Sequence, residues 1–228
     1  MASTYTDLGI ELMATGENAG TWGTKTNANL NLIEQLTGGF ATVSIAGGAG
    51  TTALDIDDGA LTGTAQQRII EFTGSITGNR IVTIPNDVET FYILKNSTSG
   101  AYTVQFKYAT GSGTSTTFST TDKGIKIVYA TANDGTNPDI VDVMANSSEI
   151  AVTNSNPIKF KDADDSASVG IKAPATVSGT YTLTLPAAVG STSQALVTTD
   201  GSGTLGFTST SSFGITTGKA IAMAIVFG

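Results

Sequence analysis

The chain has 228 residues, of which 39% are hydrophobic and 13% charged, and its net charge is −8 at pH 7. The hydrophobic content excludes a chain disordered by composition, and the acidic balance argues against partners such as nucleic acid, whose backbone requires a basic surface. Cysteine and histidine are both absent. Disulfides, thiolate nucleophiles and imidazole bases are therefore excluded, and we expect no catalytic residue, no cofactor and no metal site.

The chain is rich in threonine and glycine, with 39 and 27 residues respectively. Threonine favours strands and glycine favours turns, so this bias predicts many short strands joined by many turns. Only 9 Phe, 6 Tyr and 1 Trp are available to fill a core. Because a single chain then has a thin core, we expect oligomerisation to complete it.

The N-terminus and the longest apolar run indicate whether the protein is exported or inserted into a membrane. Residues 1–7 lack the basic start and the apolar stretch of a signal peptide. The longest apolar run, Ala220–Phe227, is far too short to span a bilayer. We expect a protein made in the cytoplasm without a signal peptide and without membrane insertion.

Residues 1–39 form a first segment that contains a predicted helix. A glycine-rich loop at 16–24 carries the only tryptophan, Trp22. Thr26 or Asn27 can cap the helix that follows, and Gly38-Gly39 ends it. Two roles for Trp22 stay open. Its ring is either a buried anchor in a partner protein, or it folds over the helix at Leu30 and Ile33.

Residues 40–145 follow a β pattern in which alternating or apolar runs are separated by turn signals. Strands at such regular spacing predict a β-sandwich-like domain. The runs lie at 40–45, 68–72, 80–84, 91–95, 102–108, 124–130 and 140–144.

Residues 146–228 contain short strands with little bulk, at 150–152, 158–161, 169–172 and 181–185. A stronger signal follows, because Asp200-Gly201 lies between the β-prone runs 195–198 and 204–207, a pattern typical of a hairpin. A lone hairpin is marginal in water. The pattern therefore predicts that this hairpin packs against something else.

The stretch from Lys159 to Phe207 carries four marks in a fixed order. They are an apolar and Asp-rich run at 160–165, Gly170–Pro174, Tyr181–Pro186 and the hairpin Gln194–Leu205. This stretch resembles a module that recurs in bacteriophage tail-fibre and appendage proteins. The segment 20–34 is similar to the start of many marine phage structural proteins, and residues 80–137 are similar to the β-domain that often follows it.

The resemblance implies three copies around a threefold axis, so that each hairpin finds its missing core in its neighbours. The expected fold is mainly β, with a short helix in 1–39, a β-sandwich-like domain in 40–145 and an intertwined trimeric fibre-type module in 146–228. The expected virion-attachment contacts are Trp22, Leu30, Ile33 and Leu36. The expected trimer contacts are Leu183, Leu185, Leu196, Leu205, Phe207, Ile221, Ile225 and Phe227.

The resemblance also implies a function. It suggests a non-enzymatic structural virion protein, a homotrimeric tail fibre or appendage for attachment and host adhesion. Its partners would be copies of itself, other virion proteins of the tail, baseplate or capsid, and a host surface receptor. A capsid decoration or spike protein is the main alternative. A glycan-cleaving tailspike and a secreted bacterial adhesin also stay open, although the missing export signal counts against the adhesin.

Acidic patterns have a chemical and a structural interpretation. Residues 55–59 resemble a calcium loop, but Gly59 stands where a ligand is required, so a polar turn is expected. Residues 162–165 form either a cation site between chains or a solvated loop, and the loop is expected. The tailspike alternative needs two carboxylates at a defined separation, which the sequence does not set. The candidate pairs are Glu71 with Glu89 and Asp142 with Glu149.

Overall fold

The computed structural model describes residues 2–164 and 166–213. Its contacts divide the chain into two units, residues 1–150, called unit 1, and residues 151–228, called unit 2. The predicted mainly β fold with a short helix is confirmed. The organisation into segments 1–39, 40–145 and 146–228 stays a prediction.

Unit 1 begins with a small hairpin, β1 (Thr4–Tyr5) and β2 (Glu11–Leu12), followed by helix α1 (Trp22–Gly38). The helix starts earlier than the predicted cap at Thr26 or Asn27. The carbonyl of Asn18 accepts hydrogen bonds from the backbone N–H groups of Thr21 and Trp22, both at 2.9 Å, and this turn leads into the helix. The N-cap residue Thr21 makes no capping hydrogen bond through its side chain.

Two sheets form the body of unit 1. The five-stranded sheet has the order β11-β10-β7-β5-β3 and the four-stranded sheet has the order β4-β6-β8-β9. The first comprises β3 (Phe40–Ser44), β5 (Ile69–Thr73), β7 (Thr90–Asn96), β10 (Ile125–Ala130) and β11 (Ile140–Asp142). The second comprises β4 (Gly50–Ala53), β6 (Arg80–Ile84), β8 (Val104–Tyr108) and β9 (Thr116–Phe118).

From β3 to β8 the chain passes alternately from one sheet to the other. Each strand pairs in parallel with the next strand of its own sheet, so the sandwich is wound as a short coil. The corners of the coil also stack, with parallel bridges between Gly47 and Ile76 and between Ser75 and Ser99. Antiparallel pairing of β9, β10 and β11 ends the coil.

The two sheets share one core. The ring of Phe106 on β8 lies 6.4 Å from that of Phe72 and 5.6 Å from that of Tyr92, both on the opposite sheet. Besides Gln66, the described residues include one fully buried polar side chain, Asn96 at the end of β7. Its amide donates to the carbonyl of Asp122 at 2.7 Å, and its oxygen accepts from the Thr98 hydroxyl at 2.7 Å. These bonds satisfy a side chain whose burial is otherwise costly.

Each of the seven runs predicted in residues 40–145 contains a strand, while β4 and β9 were not predicted. Both of the missed strands are short and polar, with sequences GTTA and TTF. β4 forms by pairing with β6, and β9 forms by pairing with β8. These are tertiary contacts, which the local sequence does not predict.

Unit 2 contains two hairpins, β12 (Ile158–Lys161) with β13 (Ser168–Ile171) and β14 (Gln194–Thr198) with β15 (Leu205–Ser209). A 3-10 turn follows at Thr210–Phe213. The predicted runs 150–152 and 181–185 are not strands; within the second, only Thr184 bridges to Thr204. The backbone N–H of Leu205, the first residue of β15, donates to the carbonyl of Thr184 at 2.8 Å.

The predicted hairpin at 194–207 is confirmed, and its turn explains the sequence. The Asp200 carboxylate accepts hydrogen bonds from the backbone N–H groups of Ser202 at 2.9 Å and Thr204 at 3.0 Å. Gly203 has φ +93°, a conformation that favours glycine. The turn is thus held by its own side chain, while the strands on either side stay open to solvent.

Candidate functional site

Helix α1 presents an exposed apolar stripe made of Trp22, Leu30 and Ile33. Their exposed fractions are 65%, 58% and 45%. At 3.6 residues per turn these three side chains fall within an arc of about 80° on the helix surface. The exposed ring favours the anchor interpretation of Trp22 over the packed one.

Two threonines fall within the same stripe and make it less polar than the sequence suggests. The hydroxyl of Thr26 donates to the carbonyl of Trp22 at 2.8 Å, and that of Thr37 donates to the carbonyl of Ile33 at 2.9 Å. Since each hydroxyl is turned back onto the helix, its need for a partner is already met. The stripe is therefore an apolar surface of unit 1 that nothing in the described residues covers.

The adjacent face of α1 packs onto its own chain. Leu32, which was not predicted as a contact, is fully buried, and Leu36 is half-buried. Glu11, on β2, is 5% exposed and pairs with Lys25 at 3.0 Å, and its carboxylate accepts from the Asn18 amide at 2.9 Å. The hydrogen bond from Asn18 and the ammonium of Lys25 lower the pKa of Glu11.

Unit 2 has a larger apolar surface. In residues 151–164 and 166–211 no side chain is buried, whereas twelve large apolar side chains are exposed. They are Val152, Ile158, Phe160, Val169, Ile171, Val177, Tyr181, Leu183, Leu185, Val189, Leu196 and Phe207.

The trimer contacts expected from the sequence can be compared with this surface. Leu183, Leu185, Leu196 and Phe207 are exposed by 54%, 74%, 50% and 38%, while Leu205 is half-buried. The remaining three, Ile221, Ile225 and Phe227, lie outside the described residues. Exposure leaves the first four available for contact with another molecule, and their assignment to a trimer stays a prediction.

The β12–β13 hairpin adds an apolar face that was not predicted as a contact. Ile158 pairs with Ile171 and Phe160 pairs with Val169, so all four side chains lie on one face of the hairpin. Lys159 and Lys161 lie on the other face, opposite Gly170 and Ser168. The alternating sequence Ile-Lys-Phe-Lys carried the signal, because alternation in a strand places apolar and charged residues on opposite faces.

A cavity of about 580 Å³ adjoins this hairpin face within unit 2. It is formed by residues 171–174, 177, 179–181 and 183, and its apolar lining comes mainly from Ile171, Val177, Tyr181 and Leu183. It is an open groove able to receive large side chains, and the hairpin face and the groove meet at Ile171.

The net charge of the protein is distributed unevenly between the units. Residues 151–228 contain four lysines, four aspartates and no glutamate or arginine, so they are formally neutral. The whole net charge of −8 therefore belongs to residues 1–150. A neutral, apolar surface meets little electrostatic resistance to association with a copy of itself.

The acidic motifs form turns. The carboxylate of Asp55 accepts from the Thr64 hydroxyl at 2.6 Å and from the Thr64 N–H at 3.0 Å. The carboxylate of Asp162 accepts from the Ser166 hydroxyl at 3.1 Å and from the Ala167 N–H at 3.2 Å. Within residues 2–164 and 166–213, no group of three or more acidic side chains is arranged to hold a metal ion.

Three of the four candidate carboxylates, Glu71, Glu89 and Asp142, have structural partners. Glu71 pairs with Lys95 at 2.7 Å, and Glu89 accepts from the Tyr129 hydroxyl at 2.8 Å. Glu71 lies beside Lys95 near the end of β7, whereas Glu89 precedes its first residue, so about 20 Å of strand separates them. This exceeds the spacing of a glycosidase pair, which is at most about 9.5 Å. In the second candidate pair, Asp142 bonds to Lys126 at 2.9 Å.

Among the described helices, none combines the length and the apolar character needed to cross a membrane. Comparisons with protein-family models, with curated proteins and with solved structures found no match to this chain.

Proposed function

We propose that this chain is a structural protein of a bacteriophage virion, a homotrimeric tail fibre or closely related appendage that attaches to the particle and adheres to the host. The observation that carries the proposal is the surface of unit 2, where apolar side chains are exposed and no described side chain between residues 151 and 211 is buried. The class of protein comes from the resemblance of residues 159–207 to the tail-fibre module.

The lack of a core in unit 2 supports an assembly. A hairpin gains little stability by itself, and the apolar residues of these two hairpins are exposed or at most half-buried. The twelve exposed side chains offer on the order of 1,000 Å² of surface, comparable to the roughly 800 Å² that each partner contributes to a standard interface. Burial of that surface between copies would supply the missing core.

Separate roles for the two units follow from the proposal. Unit 2 holds the copies together and presents an end to the host receptor or to a further fibre protein. Unit 1 is a closed domain that serves as a spacer or lateral contact. The stripe of Trp22, Leu30 and Ile33 attaches the chain to a tail, baseplate or capsid protein. The mechanism is mechanical and adhesive, and it requires neither catalysis nor a cofactor.

The proposal is tested on the particles of a phage that encodes this chain. Quantitative mass spectrometry of purified particles is expected to find the protein in a multiple of three copies, and labelling with a specific antibody is expected to mark the tail. Labelling spread over the shell would replace the fibre with a capsid decoration protein. Absence from purified particles would overturn the proposal.

A further inference from the structure

We propose that the apolar face of the β12–β13 hairpin, made of Ile158, Phe160, Val169 and Ile171, packs against the same face of other copies of this chain, close to the symmetry axis of the assembly. This inference rests on the proposed function, because it names the surface through which the proposed homotrimer is joined.

The construction of the hairpin supports contact on one face only. The four apolar side chains are exposed by 50% to 72% and lie in two cross-strand pairs. The lysines at 159 and 161 project from the opposite face, where they are exposed. The hairpin therefore has one face suited to burial and one suited to water, although no described residue of unit 2 buries the first.

The charge of unit 2 favours a second copy as the occupant. Its four lysines and four aspartates cancel, so copies of this unit do not repel one another. A strongly charged partner would gain nothing from a face with no charged residue on it. In a symmetric oligomer, residues beside the axis meet their own equivalents, and a self-contact of apolar side chains satisfies this requirement without needing complementary charges.

The absence of cysteine makes the contact directly testable in the full chain. We expect Val169→Cys to form a disulfide between two copies under mild oxidation, because the proposed contact at the axis would bring equivalent Cβ atoms within the separation of about 4.5 Å that a disulfide requires. The matched control is Lys159→Cys, on the opposite face of the same hairpin. Within an assembly the neighbouring thiol is at millimolar effective concentration, so the cross-link should form on the order of 100-fold faster in Val169→Cys at micromolar chain concentration.

The mass of the unmodified protein, measured by light scattering on the same preparation, separates the possible outcomes. If that mass is three chains and Val169→Cys cross-links no faster than Lys159→Cys, the hairpin contact is wrong and the proposed function stands. If the mass is one chain, both are wrong. Ile171→Cys is the second variant; its side chain is 68% exposed, so little packing within the chain is lost.

Discussion

Units 1 and 2 are both built from short strands, yet they solve the problem of a core differently. Unit 1 winds its strands into two facing sheets, which bury Phe72, Tyr92 and Phe106 against one another. The described residues of unit 2 pair their strands as separate hairpins and expose side chains of the same kind, such as Phe160 and Leu185. Under the proposed function, a β-rich chain completes one core within itself and the other between copies.

The distribution of charge follows the same division. All of the net charge of −8 lies on residues 1–150, the part that is closed on itself. Residues 151–228 have a net charge of zero, because their four lysines and four aspartates cancel. A charged surface keeps closed domains apart in solution, whereas a neutral one allows close approach. Under the proposed function, charge and burial distinguish an independent domain from a segment that associates.

The largest expected effect tests the closed core of unit 1. We expect Phe106→Ala to lower the free energy of unfolding by about 3–5 kcal/mol, because the change removes a fully buried ring and leaves a cavity between the sheets. Urea denaturation of unit 1 measures the loss. The loss should be the same at low and high protein concentration, since this core lies within one chain, and a strong dependence on concentration would contradict the comparison.

The second effect tests the open surface of unit 2. We expect Leu185→Asp to weaken assembly by on the order of 100-fold, because it places an unpaired carboxylate in an apolar contact. Leu185 is 74% exposed in the single chain, so unit 1 should keep its unfolding transition. Light scattering over a dilution series measures the change. Ser168→Asp, on the polar face of the β12–β13 hairpin, is the matched control, and equal weakening by both variants would count against a localised apolar contact.

The smallest effect concerns the attachment of α1 to the rest of unit 1. The hydrogen bond from Asn18 and the charge of Lys25 lower the pKa of Glu11 in the folded chain from its ordinary value of 4.5. A lowered carboxylate pKa stabilises the folded state at pH values above that ordinary pKa. This stabilisation is lost as the pH falls through the lower, folded-state pKa.

We therefore expect Glu11→Gln to lower the melting temperature near neutral pH and to make it less sensitive to acid. Melting curves recorded from about pH 7 down to about pH 3 measure both changes. Glu34→Gln, on the exposed surface of the same helix, is the control and should leave the curve unchanged. A pH dependence in Glu11→Gln identical to that of the wild type would show that the pairing with Lys25 does not hold the helix in place.

Local pattern predicted most of the strands but not the way in which they pair. Alternation in runs such as 124–130 indicates a strand with one buried face, whichever strands it pairs with. The coil of unit 1 depends instead on parallel pairing between distant strands, for example Phe40 with Ile69 and Ile69 with Ile93. No turn residue or spacing encodes that choice, because it arises from the packing of the whole unit.

The sequence predicted some of the exposed apolar residues on the candidate contact surfaces and missed others. The expected attachment contacts grouped Leu36 with Leu30 and Ile33. The sequence could not tell that Leu36 would be half-buried and Leu32 fully buried while Leu30 and Ile33 stay exposed. That outcome depends on β2, where Glu11 binds Lys25, and on Asn29, whose amide donates to the Glu11 carbonyl at 2.8 Å. In unit 2 the alternating sequence of β12 indicated an apolar face. The sequence could not show that this face is exposed, because exposure depends on whether another part of the structure covers it.

The central claim is that unit 2 finds its core in other copies of the chain. The most direct test is the mass of the purified full-length protein in solution, measured by light scattering with small-angle X-ray scattering for its shape. We predict a stable, elongated assembly of three chains that persists on dilution. A compact monomer would contradict the claim, because the apolar surface of unit 2 would then have to be stable in water without a partner.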